Sequence, residues 1–298
     1  MESKIFPSEH SYFEIKMLIN KLISKYPFVN ISKIGKSVAG RDIPVLLIGS
    51  DTEYTAFIAG ENPRCRITTL ILLMFAEELC DKILNGKEMC GINMRKAMFG
   101  RGVAIMPCLN PDGAEISLRG DMGCGYMAGK IAGLCNGDFS KWEANLRGVE
   151  IVRNFAFDFK KRQSIEKDNF ISGPSYKGFS GYKPETEPET LALTELCRTK
   201  NIRHLINVTA FGNTVSYSGC EKVPKPSVKM ADVISAVSSF KVSPPISKIY
   251  PEICDWFTFE FNRPGITLRI GEDEIPPASE LTYWYERIKE SLTLLALF

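Results

Sequence analysis

A buried strand that turns directly into a long apolar helix is the feature of this sequence that most restricts its fold. The stretch from Tyr54 to Cys80 reads YTAFIAGENPRCRITTLILLMFAEELC. An apolar run of strand length comes first, and after the break at Gly60 apolar residues recur at helical spacing. Asn62 followed by Pro63 predicts an N-cap with proline at the first helical position. Because ligands of open α/β sheets bind at the carboxyl ends of strands, residues 61–66 are expected to face a site.

The remaining elements extend this pattern along the whole chain. With 298 residues, of which 44% are hydrophobic, the chain is long enough for one large core or two small ones, and α/β folds of this size commonly form one domain. The glycine-rich residues 120–137 predict a flexible loop beside the site. Further helices are predicted over 10–26, 187–199 and 278–295, and further strands over 29–34, 43–48, 102–108, 202–211 and 267–271.

Charge and cysteine usage narrow the class of protein. The formal net charge is only +2, which gives no reason to expect nucleic acid or a membrane surface as a partner. The N-terminus lacks a signal pattern and no apolar run is long enough to span a bilayer, so a soluble, cytoplasmic protein is expected. Nine cysteines, an odd number without a secretory signal and without a CxxC pair, predict reduced thiols that are small buried residues.

Several short motifs then carry a family resemblance. The turn Asn62-Pro63-Arg64-Cys65, the segment Asn110-Pro111-Asp112-Gly113, the stretch from Trp142 to Phe155 and the strand Thr267–Gly271 resemble zinc carboxypeptidases, including γ-D-glutamyl-L-diamino acid endopeptidases. The resemblance covers nearly all of residues 1–298. It implies a single α/β domain with a mixed, mostly parallel sheet of about eight strands and helices on both faces.

The same resemblance places the zinc ligands of the family on residues that do not match them. The two histidines and the glutamate of the family fall on Asn62, Thr209 and Cys65, respectively. Asparagine and threonine bind zinc poorly, so no metal and no cofactor is expected. Of the two histidines in the chain, His10 lies far from every motif. His204 is five residues from Thr209 and is expected to point to the opposite face of its strand.

The catalytic groups that the resemblance implies are also replaced. The position of the family's general base, a glutamate, is occupied by Arg269, whose guanidinium stays protonated. The position of the oxyanion-stabilising arginine is occupied by Glu143, which would repel developing negative charge. One hypothesis is that Glu143 and Arg269 form an ion pair across the former site, and the alternative is that each reaches solvent.

Three positions retain residues that match ligand-binding residues of the family. Arg153 matches the arginine that receives a peptide carboxylate, although the companion asparagine is replaced by Val152, and a structural salt bridge is an equal alternative. Asn145 and Asn154 also match. Cys65, near a predicted helix N-terminus, is either a reactive thiolate or a small buried residue.

These replacements predict a catalytically inactive relative that binds peptides, including peptidoglycan-type peptides, in the former active-site groove. Two alternatives remain open. One is an active peptidase whose zinc is held by other ligands, for example Cys65 with Asp112 or Glu61. The other is an interaction protein whose groove is filled by side chains such as Arg269. The ligand and the oligomeric state are left open.

Overall fold

The computed structural model describes residues 5–218, 223–243, 252–272 and 274–298, so Cys220 lies outside the described part. The strands are β1 (Asn30–Lys36), β2 (Asp42–Gly49), β3 (Tyr54–Ile58), β4 (Glu88–Met89), β5 (Ile92–Asn93), β6 (Gly102–Met106), β7 (Ile202–Ala210), β8 (Thr214–Tyr217), β9 (Lys241–Val242) and β10 (Gly265–Ile270). The helices are α1 (Tyr12–Lys25), α2 (Arg66–Asn85), α3 (Met94–Ala97), α4 (Pro111–Arg119), α5 (Asp121–Cys124), α6 (Ala128–Leu134), α7 (Phe159–Asp168), α8 (Pro188–Thr199), α9 (Lys225–Ser238), α10 (Ile253–Phe261) and α11 (Leu281–Leu297).

Eight of these strands form one central sheet in the order β1-β2-β6-β3-β7-β10-β8-β9. The neighbours β6, β3, β7 and β10 run parallel to one another in the middle of the sheet. The strands β1, β2 and β8 pair antiparallel on the two sides of this parallel group. The mixed, mostly parallel sheet predicted from the resemblance is therefore confirmed.

The side-chain alternation of the strands separates two hydrophobic cores. Phe57 of β3 packs into one core, which also holds the buried faces of α1, α2, α9 and α11. Its neighbours Ala56 and Ile58 point to the opposite face, where α8 and α10 pack. The sheet thus carries helices on both faces, which explains why the central strands β3 and β6 are buried along their whole length.

Two local predictions differ from the structure. The helix after the strand break begins at Arg66, not at Pro63, because the Asn62 side chain accepts a hydrogen bond from the Arg64 backbone N–H at 3.0 Å and holds a separate turn. The glycine-rich residues 120–137 are not an open loop, since they form α5 and α6 and bury Cys124 and Ile131 beside Trp142. Within the described ranges, no helix is both long enough and apolar enough to cross a bilayer.

Candidate functional site

The carboxyl ends of three parallel strands surround one cleft, which we call the strand-end cleft. The registry of β7 and β10 places Asn207 opposite Thr267 and Thr209 opposite Arg269. Because residues two apart in a strand share a face, all four of these side chains point the same way. The cleft has a volume of about 220 Å³ and is lined by these residues together with Glu61 and Asn62, which follow β3.

Gly60 is what allows the chain to turn into this cleft. Its φ of +64° lies in the left-handed region, and a Cβ atom there would lie 2.8 Å from Thr69 Oγ1 and 3.1 Å from Cys108 Cα. A side chain is therefore excluded both by backbone conformation and by space. The turn delivers Glu61 and Asn62 to the end of the sheet, as the strand break in the sequence predicts.

The basic and acidic groups of the cleft are largely paired with one another. Arg269 forms an ion pair with Glu252, and its Nη1 also donates to Ser216 Oγ at 2.9 Å. Glu252 additionally accepts a hydrogen bond from Thr267 Oγ1 at 2.7 Å. The guanidinium of Arg269 is thus held against the sheet by two acceptors.

Three further ion pairs involve the other residues that line the cleft. Glu143 is 2.9 Å from Arg64 and 3.2 Å from Lys177. Arg153 Nε is 2.9 Å from Glu150, and both of these side chains line the cleft. A carboxylate close to each guanidinium largely neutralises its charge. The same ion pairs hold the arginine side chains in place before any ligand binds.

Glu61 is the exception among the acidic groups. Its side chain is 3% exposed, and among the described residues its Oε1 accepts a hydrogen bond from Asn207 Nδ2 at 3.5 Å. Burial raises the pKa of Glu61 from its ordinary value, and the nearby Thr209, Asn207 and Arg269 oppose that rise. A charged Glu61 is therefore poorly compensated by the described residues.

A match to a protein-family model shows which family this chain belongs to. Residues 15–287 match the model described as Peptidase_M14, zinc carboxypeptidase. The match covers far more than half of the chain, including every strand of the central sheet. This chain belongs to the zinc carboxypeptidase family.

Individual relatives agree with this assignment. The chain is 27% identical over 283 residues to gamma-D-glutamyl-L-diamino acid endopeptidase 1 of Lysinibacillus sphaericus, covering 92% of this chain and 69% of that protein. The structure of bovine thrombin-activatable fibrinolysis inhibitor in complex with tick carboxypeptidase inhibitor matches with a TM-score of 0.73 and 17% identity over 97% of each chain. Murein-tripeptide amidase MpaA from Escherichia coli O157 matches with a TM-score of 0.55 and 16% identity over 90% of this chain and 92% of that chain.

Membership of this zinc-dependent family corrects one prediction. The expectation that the protein has no cofactor is wrong, because the chain belongs to a family that is described as zinc carboxypeptidase. Whether the residues at the predicted ligand positions could hold zinc depends on their position and their chemistry. Asn62 and Thr209 line the strand-end cleft and Cys65 lies buried against Thr209, so the three positions converge. An amide, a hydroxyl and a thiol do not fit zinc as two imidazoles and a carboxylate would.

Neither histidine contributes to the cleft. His204 is buried on β7 beside Thr55 of β3, and burial lowers its pKa to about 4. His10 hydrogen-bonds the Ser8 carbonyl through Nδ1 at 2.6 Å and lies beside α2 and α4. Of the two alternatives for Cys65, the small buried residue is favoured over the reactive thiolate, because burial and the charge of Glu61 raise the pKa of the thiol to about 12.

The ion pair predicted between Glu143 and Arg269 is wrong. Each of the two residues has a nearer partner of opposite charge, and both partners were overlooked in the sequence. Glu252 directly precedes α10, where its side chain also accepts a hydrogen bond from the Asp255 backbone and caps the helix. An acidic residue just before a helix signals such a cap, but its second contact with Arg269 requires the folded sheet.

The three predicted ligand-binding residues lie in different surroundings. Arg153 lines the cleft next to Val152. Asn145 is 0% exposed and donates to Glu187 and Glu189. Asn154 is equally buried and bonds the backbone between residues 180 and 187 through both ends of its amide. The two asparagines therefore position loops, and the direct ligand contact stays a prediction for Arg153 alone.

Proposed function

We propose that this member of the zinc carboxypeptidase family binds peptidoglycan-type peptides in the strand-end cleft and does not hydrolyse them by the general-base route of its relatives. The observation that carries this proposal is the ion pair between Arg269 and Glu252. Arg269 stands where the resemblance places the base. A guanidinium cannot accept a proton from water at ordinary pH, and Glu252 stabilises its charged form further.

A second replaced catalytic position supports the same proposal. Glu143 stands where the resemblance places the oxyanion-stabilising arginine. Its negative charge is paired with Arg64 and Lys177, and a developing oxyanion beside it would be repelled. Two catalytic functions are thus replaced by groups of the opposite charge, and removal of one member of such a set already costs orders of magnitude in rate.

Peptide binding is supported by the shape and the chemistry of the cleft. The cleft is open, with a volume of about 220 Å³, which disfavours the alternative of a groove filled by Arg269. Arg153 is held by Glu150 at the wall, and its planar fork suits a carboxylate. The class of peptide is suggested by the relative named gamma-D-glutamyl-L-diamino acid endopeptidase 1.

Calorimetry with γ-D-glutamyl-L-lysine, combined with a hydrolysis assay at increasing Zn²⁺, tests both halves of this proposal. We expect saturable binding and no release of lysine at any zinc concentration. Arg153→Ala is expected to weaken binding at least about tenfold. Arg203→Ala is the matched control, because Arg203 pairs with Glu53 at the opposite ends of the strands, and it is expected to leave the affinity unchanged.

A second candidate function is favoured by the family match itself. A zinc ion held by residues other than the three predicted positions would support hydrolysis, and zinc-dependent release of lysine from the same peptide would establish this function. Hydrolysis that disappears in Arg269→Ala would also contradict the inactivity proposed above, because it would give Arg269 a catalytic role.

A further inference from the structure

One acidic group of the strand-end cleft lacks the partner that the others have. Four carboxylates line the cleft, and three of them form ion pairs, namely Glu252 with Arg269, Glu150 with Arg153 and Glu143 with Arg64. Glu61 is the fourth, and none of the described arginines, lysines or histidines forms an ion pair with it. A buried carboxylate without a cation is costly unless something else supplies the positive charge.

Two buried oxygen atoms of the cleft, one on Glu61 and one on Asn207, have no hydrogen-bond donor among the described residues. Within the described residues, Oε2 of Glu61 has no hydrogen-bond donor, and neither has Oδ1 of Asn207. Both side chains are 3% exposed and both line the cleft. Asn207 Nδ2 lies 3.5 Å from Glu61 Oε1, which places the two acceptors in one cluster. Buried polar atoms are nearly always satisfied, so two bare acceptors in one cleft indicate a donor that comes from a ligand.

We propose that Glu61 and Asn207 bind the primary ammonium group of the peptide that occupies the strand-end cleft. This inference rests on the proposed function and adds the chemical group that the cleft selects. An ammonium group carries three donors and no acceptor, so it satisfies a carboxylate oxygen and an amide oxygen together and compensates the charge of Glu61. A diamino acid supplies such an amine in addition to the one used in its peptide bond.

An ammonium site at Glu61 fits the other charged residues of the cleft. Both arginines that line the cleft form ion pairs with other glutamates, and Arg269 attracts Glu61 without forming an ion pair with it in the described part of the chain. A peptide with one carboxylate and one ammonium group would meet Arg153 with the first and Glu61 with the second. The cleft would then discriminate against peptides whose amine is blocked, because a neutral amide would leave the Glu61 carboxylate buried and unpaired.

The test compares γ-D-glutamyl-L-lysine that is acetylated on its glutamyl α-amine, so that the lysine side-chain amine is its one ammonium group, with the same dipeptide acetylated on the lysine side-chain amine as well. Titration calorimetry on the full chain is expected to show that acetylation lowers the affinity at least about tenfold. Glu61→Gln is expected to abolish this discrimination, so that the free and the acetylated peptide bind within about twofold of each other. Asn207→Ala, which removes only a neutral acceptor, is expected to reduce the discrimination by a smaller factor.

Glu150→Gln is the matched control, because it removes the same charge from the same cleft at a position that is already paired with Arg153. It is expected to weaken both peptides and to preserve their affinity ratio. Equal affinities of the free and the acetylated peptide for the unmodified protein would overturn the ammonium site while leaving peptide binding intact. Tight Zn²⁺ binding that is lost in Glu61→Gln would overturn it too, because Glu61 would then be a metal ligand.

Failure of the proposed function is distinguishable from failure of this inference. If neither peptide binds, n-butylammonium is titrated while the Asn207 side-chain amide is followed by NMR. A saturable shift that is absent in Glu61→Gln supports the ammonium site without peptide recognition. No shift at any concentration of the amine overturns the inference.

Discussion

Two buried carboxylates at neighbouring strand ends contrast sharply in their surroundings. Asp112 follows β6 and Glu61 follows β3, and these two strands are parallel neighbours in the sheet. Asp112 accepts hydrogen bonds from Ser37 Oγ at 2.6 Å, from Arg41 Nη1 at 2.6 Å and from the Ala39 backbone at 2.7 Å. Among the described residues, Glu61 accepts a long hydrogen bond from Asn207 at 3.5 Å and lies near the Thr209 hydroxyl.

The difference separates a structural acid from one that is available to a ligand. The donors of Asp112 come from the hairpin between β1 and β2, so its ion pair with Arg41 fastens the start of α4 to that hairpin. Glu61 faces the cleft, and its Oε2 has no donor among the described residues. Burial alone does not distinguish the two, because both side chains are almost inaccessible to solvent. The hydrogen bonds that their carboxylate oxygens accept do distinguish them.

The largest effect is expected from Asp112→Ala. Removal of the carboxylate leaves the Arg41 guanidinium and two further donors without their acceptor, so we expect a loss of about 3 kcal/mol or more in the free energy of unfolding, measured by urea denaturation. Asp112→Asn keeps part of the hydrogen bonding and should lose less. A loss below about 1 kcal/mol for the alanine variant would contradict the structural role.

Glu189 is intermediate between Asp112 and Glu61 in the hydrogen bonding of its carboxylate. Its Oε2 accepts from Asn145 at 3.0 Å, but its Oε1 has no donor among the described residues. Burial raises the pKa of Glu189 from 4.5 to about 7. The folded state therefore holds a proton more tightly than the unfolded state, and stability is expected to fall by about 3 kcal/mol as the pH rises from 4.5 to 7.

Glu189→Gln should remove this fall in stability, as measured by urea denaturation at a series of pH values. The substitution retains an oxygen that can accept from Asn145. An unchanged pH dependence in the variant would show that another group is responsible. His204 contributes with the opposite sign, because its pKa is lowered to about 4 and protonation of the unfolded state destabilises the fold as the pH falls below 6.5.

Glu61→Gln is expected to act in the direction opposite to Asp112→Ala. The substitution removes a buried charge that has no ion-pair partner among the described residues, so the free energy of unfolding of the ligand-free protein at pH 8 should rise by about 1 kcal/mol. Thermal and urea unfolding measure the change. A destabilisation as large as that of Asp112→Ala would break the comparison, because Glu61 would then be a structural acid.

The smallest effect is expected from Lys177→Ala. The Lys177 side chain is 55% exposed, and Glu143 keeps its contact with Arg64 when Lys177 is removed. We expect a change below about 0.5 kcal/mol in the free energy of unfolding, measured by the same urea denaturation. A larger loss would show that the pairing of the cleft wall is cooperative.

Local sequence signals were sufficient for the elements that surround the site. Helical periodicity predicted α2, and an apolar run predicted β3, because burial on both faces of the sheet requires continuous apolar strands. The local signals gave the wrong prediction where one sequence pattern is compatible with two structures. Asn62 and Pro63 are typical of a helix start, yet Asn62 caps a turn that precedes the helix by a few residues. Glycines at 120–137 suggested a loop, yet the burial of Ile131 and Cys124 holds short helices there.

The sequence by itself determined the family and the α/β class, and it predicts that the residues at the positions of the zinc ligands, the base and the oxyanion arginine are replaced. These properties follow from residue type and order, which are independent of packing. Only the tertiary structure decided which charges meet. Arg269 pairs with Glu252 and Glu143 pairs with Arg64, because the ends of distant segments converge at one edge of the sheet. The same convergence leaves Glu61 without an ion pair in the part of the chain that the structure describes, since electrostatic compensation depends on distances of a few ångströms that sequence separation does not specify.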